Sequence, residues 1–146
     1  MPCGCGLGVN TMIDHDVLVN WDSFSQARSE LGANFVRILG YFREDGVKSV
    51  SRIEEAMRGQ SAAGMVIPAH TLKGEARQFG ADVLGDLAVE IENIARLCVE
   101  RQDTPSAMLE QVVNLRPMFE ATLQLLERES NPLVERRPAF GRRSLG

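Results

Sequence analysis

The amino-acid sequence predicts an all-α fold, an antiparallel four-helix bundle with an additional short N-terminal helix. Apolar residues recur at intervals of three and four along most of the chain, and no useful length shows the alternation of a β-strand. Short links join the helical stretches, which favours antiparallel packing. The chain has 146 residues, of which 44% are hydrophobic and 25% charged, a balance typical of one folded domain.

The first two predicted helices lie in the N-terminal third of the chain. Asp22 is a suitable cap for a short helix with apolar positions at Phe24, Ala27 and Leu31. After Ala33, helical spacing resumes and continues to Gly59, which predicts one long helix or two abutting ones. Its apolar positions are Phe35, Ile38, Leu39, Phe42, Val50, Ile53 and Met57.

The third predicted helix extends from a cap at Ser61 to Phe79 and contains Pro68. Proline has no N–H to donate within a helix, so we expect a kink there and an end at Gly80. The fourth predicted helix has the clearest apolar stripe, and its polar face carries Asp86, Glu90 and Arg101. The stripe is formed by Leu84, Leu87, Ala88, Ile91, Ala95 and Cys98.

The last predicted helix is capped by Asp103 or Thr104 and has Pro105 in its first turn. Pro117 is expected to bend it. Its apolar stripe is Met108, Val112, Leu115, Phe119, Leu123 and Leu126. We therefore expect the bundle to span residues 14–129, between a flexible tail at 1–13 that contains Cys3 and Cys5 and a flexible arginine-rich tail at 130–146.

Composition excludes several functional classes. The net charge of −4 and the eight aromatic residues argue against nucleic acid as a partner. No apolar run reaches the roughly 20 residues that cross a bilayer, and residues 1–10 lack the features of a secretory leader. Three cysteines do not form a disulfide framework. We expect a cytoplasmic protein with no membrane partner.

The sequence also lacks the common motifs of metal and nucleotide chemistry. It has two histidines, His15 and His70, so a histidine-rich metal site is not expected. It contains neither a glycine-rich phosphate-binding loop nor the serine elbow of hydrolases. We expect no metal, no cofactor and no ATP-binding kinase core, and therefore no enzyme that acts alone on a small molecule.

The segment around His70 has an arrangement with chemical meaning. At about 100° per residue, His70 lies almost opposite the apolar face formed by Met65, Ala69, Leu72, Ala76 and Phe79. The imidazole is therefore predicted to point into solvent. Lys73, Gly74 and Arg77 fall within about 60° of it, and Gln78 lies about 80° away.

An exposed neutral imidazole is a nucleophile at neutral pH, and a lysine one turn away offers positive charge to an anion bound there. Arg77 adds a second cation, and Gly74 leaves clearance beside the ring at a cost of about 1 kcal/mol in helix propensity. No Ser, Cys or Asp is arranged with His70 as a hydrolytic triad. The local chemistry fits a histidine that accepts a charged group and passes it on.

The run His70-Thr71-Leu72-Lys73-Gly74, followed by Gly80-Ala81 and Leu84, resembles the signature of histidine-containing phosphotransfer (HPt) domains. The resemblance covers roughly residues 14–128. It implies that His70 accepts a phosphoryl group from a receiver-domain aspartate and donates it to another receiver. It also implies that Lys73 and Gly74 support the site, and that the Mg²⁺ for transfer is held by the receiver.

The expected partners are response-regulator receiver domains and hybrid or standalone histidine kinases, and the expected state is a monomer. Glu75 stands where the family often has a small residue, but its place on the helix, about 140° from His70, predicts tolerance. Val66 and Ile67 either form part of a docking surface or pack under the N-terminal helix. The alternative function is a helical adaptor that docks receivers or kinases without carrying phosphate.

Overall fold

The computed structural model describes residues 15–130, and the predicted tails, apart from Ser130, lie outside this range together with Cys3 and Cys5. Within it every regular element is helical, as predicted, and four long helices form the bundle. The helices are α1 (His15–Leu18), α2 (Trp21–Leu31), α3 (Phe35–Arg58), α4 (Ala63–Gln78), α5 (Asp82–Arg101) and α6 (Leu109–Ser130), with 3₁₀ turns at Gly32–Asn34 and Pro105–Met108.

The long helices run antiparallel to their neighbours. On α4 and α5, His70 pairs with Glu92 while Arg77 pairs with Asp86, so residue numbers rise along one helix and fall along the other. The ion pairs between α3 and α6, Arg43–Glu127 and Arg116–Glu54, show the same reversal. The short links between successive helices are the physical reason for this arrangement.

The start of α2 differs from the prediction. Asn20, not Asp22, is the N-cap, and its side-chain oxygen accepts hydrogen bonds from the backbone N–H groups of Asp22 and Ser23, each at 3.1 Å. Asp22 instead lies in the first turn, where its negative charge complements the helix dipole. Both residues are good caps, and the sequence pattern did not distinguish positions two residues apart.

The limits of α4 follow local chemistry. The Ser61 hydroxyl accepts a hydrogen bond from the N–H of Gly64 at 3.1 Å, although the helix begins only at Ala63. Pro68 is buried, and helical structure continues through it. The chain turns at Gly80, where φ is +79°. An added Cβ there would lie 2.6 Å from the carbonyl oxygen of Asn20, so glycine is required on both counts.

The core lies between the helices and is continuous with the N-terminal pair. A chain of ring contacts with centroid separations of 5.0 to 5.7 Å links α2, α3, the α4–α5 turn and α6 through Trp21, Phe24, Phe35, Phe79, Phe42 and Phe119. The predicted stripe of α5 is buried, except that Leu87 is half-buried. On α6, Leu123 is also only half-buried, and Thr122 and Leu125 lie in the core instead.

The last helix begins later than predicted. Pro105 opens a 3₁₀ turn, Thr104 precedes it without a side-chain capping bond, and α6 proper starts at Leu109. Helical structure continues through Pro117, which is exposed. No helix of the described residues is long and apolar enough to span a bilayer.

Candidate functional site

His70 lies near the middle of α4 on the side that faces solvent, and its side chain is 58% exposed. The opposite side of the same helix is fully buried, at Met65, Ala69, Leu72 and Ala76. The prediction of an outward imidazole above an apolar face is therefore confirmed. The packing of that face against α3 and α5 fixes the rotation of α4 and thereby the direction of the imidazole.

A buried carboxylate on the neighbouring helix holds the imidazole. Glu92 projects from α5 and is only 6% exposed, and its Oε2 lies 3.0 Å from Nδ1 of His70. A buried carboxylate needs partners that offset its loss of hydration. Here the exposed ring and the buried acid belong to one cluster, which was not predicted from the sequence.

Two cations complete the cluster around Glu92. The Lys73 ammonium lies 3.3 Å from Oε1, and the Arg96 guanidinium donates to Oε2 at 2.8 and 3.2 Å. Since His70 and Arg96 each place a nitrogen about 3 Å from the same oxygen, those nitrogens are within about 6 Å of each other. Both cations and the imidazole therefore share the carboxylate of Glu92.

The charge state of Glu92 follows from these contacts. Burial by itself raises the pKa of the carboxyl, but hydrogen bonds from Arg96, His70 and Lys73, together with the charge of Lys73, outweigh burial and lower the pKa to about 2. Glu92 is therefore an anion throughout the physiological range, and an anionic carboxylate only accepts hydrogen bonds.

The hydrogen-bond roles of the imidazole follow from that charge. Because Glu92 only accepts, the hydrogen between the two groups is on Nδ1 of His70. In the neutral ring, the lone pair is then on Nε2, the nitrogen not bound to Glu92. The site presents an oriented nucleophilic nitrogen, with cations beside it.

The backbone next to the imidazole is bare. Gly74, one turn beyond His70, is exposed, and a Cβ added to it would meet nothing within 4 Å. On the other side, Ile67 is 67% exposed, whereas Val66 is half-buried and packs against the core. Ile67 therefore faces solvent and Val66 is partly covered by the core, while a docking role for this pair stays a prediction.

The remaining two predicted site residues lie at the edge of the cluster. Arg77 extends across the buried Gly85 of α5, where a Cβ would come within 3.0 Å of its side chain, and donates to Asp86 at 2.8 Å. Gln78 is exposed at the end of α4. The structure therefore brings His70 and Lys73 together on Glu92, with Gly74 alongside, and gives Arg77 a different acidic partner.

Glu92 and Arg96 were missed by the sequence argument, although one signal was present. Glu92 follows Ile91 and falls at helical spacing between Ala88 and Ala95, on the apolar stripe of α5. A charged residue at a core position is seldom left unpaired, so it points to a buried ion pair. Among residues 15–130, no group of three or more His, Cys, Asp or Glu is placed to hold a metal ion.

Comparison with known proteins gives one match. The family model of the Hpt domain matches residues 37–129, which include the cluster around Glu92 and most of the bundle. No curated protein and no solved structure matches the chain.

Proposed function

Because the chain belongs to the Hpt domain family, whose members are phosphocarrier modules of His–Asp phosphorelays rather than kinase cores, we propose that His70 is its phosphoacceptor. His70 takes a phosphoryl group from the aspartate of one receiver domain and passes it to another. Hpt domains interact with receivers and kinases in general. The partners proposed here are response-regulator receivers and hybrid or standalone histidine kinases.

One observation carries this proposal, the hydrogen bond between Nδ1 of exposed His70 and buried Glu92. It leaves Nε2 as the nucleophilic nitrogen and holds the ring in one orientation. A surface histidine without a role gains nothing from a carboxylate whose burial is itself unfavourable. An imidazole that must meet a phosphorus atom in line benefits from both the fixed tautomer and the fixed direction.

The transfer step follows from these atoms. The Nε2 lone pair attacks the phosphorus of the receiver's aspartyl phosphate, so a P–N bond forms as the P–O bond to the aspartate breaks. The aspartate leaves as a carboxylate with the electron pair of that bond. The ring becomes cationic and keeps its proton on Nδ1, where the Glu92 carboxylate stabilises it. Transfer to the second receiver reverses these bond changes.

The other proposed site residues act on the phosphoryl group or the partner. Lys73 lies beside the imidazole, and its ammonium stabilises the phosphoryl oxygens. Gly74 allows the receiver to approach the ring closely. Arg77 and Gln78, farther along the exposed side of α4, contact the receiver itself.

The test uses a purified receiver domain carrying radiolabelled aspartyl phosphate, mixed with the full chain. The wild type is expected to gain a base-stable, acid-labile phosphate, and His70→Gln is expected to gain none. His15→Gln is the matched control, because it removes the only other histidine of the sequence and should be labelled like the wild type.

Label that persists on His70→Gln would overturn the assignment. If no receiver transfers its phosphate to the wild type, and binding of receivers is unchanged in His70→Gln, the alternative of a non-phosphorylated adaptor is favoured instead. A profile across all receivers encoded by the same genome identifies the partners.

A further inference from the structure

Arg96 on α5 belongs to the Glu92 cluster but has no part in the proposed transfer step. Its guanidinium donates from Nη2 and Nε to Oε2 of Glu92, at 2.8 and 3.2 Å. Nδ1 of His70 lies 3.0 Å from the same oxygen, whereas the Lys73 ammonium lies 3.3 Å from Oε1. Arg96 and the imidazole therefore share one carboxylate oxygen, and each limits how strongly the other is bound.

A carboxylate beside an imidazole has two opposite effects on a nucleophilic ring. Its hydrogen bond fixes the tautomer and the direction of the ring, which favours attack. Its negative charge favours the imidazolium form, in which both nitrogens carry hydrogen and neither has a free lone pair. Glu92 without its cations would therefore orient His70 and, at the same time, draw a second proton onto Nε2.

The two cations offset the charge of Glu92. Lys73 and Arg96 place two positive charges on one carboxylate, which is only 6% exposed. Although burial raises the pKa of Glu92, the hydrogen bonds from Arg96, His70 and Lys73 outweigh it and hold the pKa at about 2. A positive charge about 6 Å from Nδ1 also opposes a second positive charge on the ring.

We propose that Arg96 is a positioning residue that acts through Glu92: it binds Oε2 beside the imidazole, so that the carboxylate orients His70 without converting it to imidazolium at neutral pH. This inference rests on the proposed role of His70 as phosphoacceptor. In the transfer step, the Lys73 ammonium turns to the phosphoryl oxygens, and Arg96 is the cation that stays on Glu92.

The other charged groups around α4 lie away from the ring. On the same side, Arg77 is paired with Asp86 of α5. On α3, Asp45 acts on an acid of α4, and Arg52 and Glu55 line a surface hollow with the start of α4. The contact of α2 with the α4–α5 turn is made by uncharged atoms. Within residues 15–130, no hydrogen bond or ion pair joins any of these groups to the imidazole.

The first experiment follows the ring resonances of His70 by NMR between about pH 5 and 9, in full chains that carry His15→Gln so that one histidine remains. In Arg96→Gln, the midpoint of the titration is expected to rise by about 0.5–1 pH unit, since the 56% exposed guanidinium is partly screened by solvent. In Glu92→Gln the midpoint is expected to fall, because the anion is lost and both cations stay. A purely structural role for Arg96 does not predict opposite shifts.

Two variants serve as controls for charge. Arg96→Lys retains a cation, so its midpoint should lie closer to that of the wild type than the midpoint of Arg96→Gln does. Arg101→Gln removes an exposed cation of the same helix. It lies nine residues beyond Glu92, about 13 Å along the axis, which exceeds the screening length of about 8 Å at physiological ionic strength. Its midpoint should match the wild type.

The second experiment measures the second-order rate constant of phosphoryl uptake from a phosphorylated receiver over the same pH range. Each variant is compared with the wild type at each pH, which removes the pH dependence of the receiver itself. Below the midpoint, the rate constant of Arg96→Gln is expected to be lower by about 3- to 10-fold. Near pH 9, where the imidazole of both proteins is neutral, the two rate constants should be nearly equal.

A midpoint of Arg96→Gln at or below that of the wild type would show that the proposal is wrong. So would a loss of rate that is the same at every pH, because it indicates distorted geometry and not protonation. The NMR titration requires no phosphoryl transfer. If no receiver labels the wild type, the role of His70 as phosphoacceptor fails, while the titration still decides whether Arg96 sets the charge of the ring.

Discussion

Replacing Gly74 by alanine separates stability from phosphoryl transfer. Gly74 lies inside α4, and a Cβ added there would meet nothing within 4 Å. Alanine is favoured over glycine in a helix interior by about 1 kcal/mol. No clash offsets this gain. We therefore expect Gly74→Ala to raise the free energy of unfolding by about 1 kcal/mol, which corresponds to an increase in Tm of about 4 °C.

The same methyl group is expected to slow transfer. It lies one turn from His70, on the surface that a receiver must approach to bring phosphorus within reach of Nε2. A displacement of about 1 Å from the reactive geometry costs up to about 100-fold in rate. We expect the rate of transfer to Gly74→Ala to fall by about 10- to 100-fold.

The matched control is Gly40→Ala on α3, where an added Cβ also meets nothing within 4 Å. It should gain similar stability and transfer phosphate at the wild-type rate. The assays are urea unfolding and rapid-quench transfer from a phosphorylated receiver. If Gly74→Ala transfers as fast as Gly40→Ala, the glycine does not provide clearance and this reasoning is wrong.

Two further predictions concern stability. In Glu92→Gln, the loss of a carboxylate whose pKa is about 2 should cost about 1–2 kcal/mol at pH 7, since exposed partners reduce the full effect. This stabilisation is present above pH 4.5 and is lost as the pH falls toward 2. The free energies of unfolding of the wild type and Glu92→Gln, measured with urea, should therefore converge near pH 2. A difference between them that does not change with pH would contradict this prediction. Gly46→Ala should destabilise by about 1–3 kcal/mol despite its gain in helix propensity, because the new Cβ would lie 2.4 Å from the buried ring of Phe119. Thermal unfolding of Gly46→Ala and Gly40→Ala, measured side by side, tests this prediction. An equal increase in Tm in the two variants would show that the Phe119 ring moves away without cost.

Glu75 shows what helical periodicity in the sequence predicts and what it does not. The helical periodicity correctly placed Glu75 about 140° from His70. It did not show that Asp45 of α3, thirty positions earlier in the sequence, contributes with burial to a raised pKa of Glu75. Whether an off-site acid is solvated or half-buried depends on which helix covers it, and that is a property of the packed bundle.

The same reasoning applies to the cations. The sequence predicted both Lys73 and Arg77 near the imidazole, with Lys73 one turn from His70 and Arg77 as a second cation farther along the helix. In the bundle, Lys73 binds the carboxylate that also holds His70, whereas Arg77 binds Asp86. The register between α4 and α5 made this difference, because it set which acid each cation meets.

Periodicity, turn residues and the run from His70 to Gly74 were sufficient to determine an all-α bundle with an outward histidine beside a lysine and bare backbone. These features arise within single helices, where each residue's direction follows from its position in the chain. The orientation of the imidazole, the second cation Arg96 and the burial of the Glu75 Oε1 atom were decided only when helices packed together. They depend on pairs of residues distant in sequence, whose separation in space is set by the apolar core.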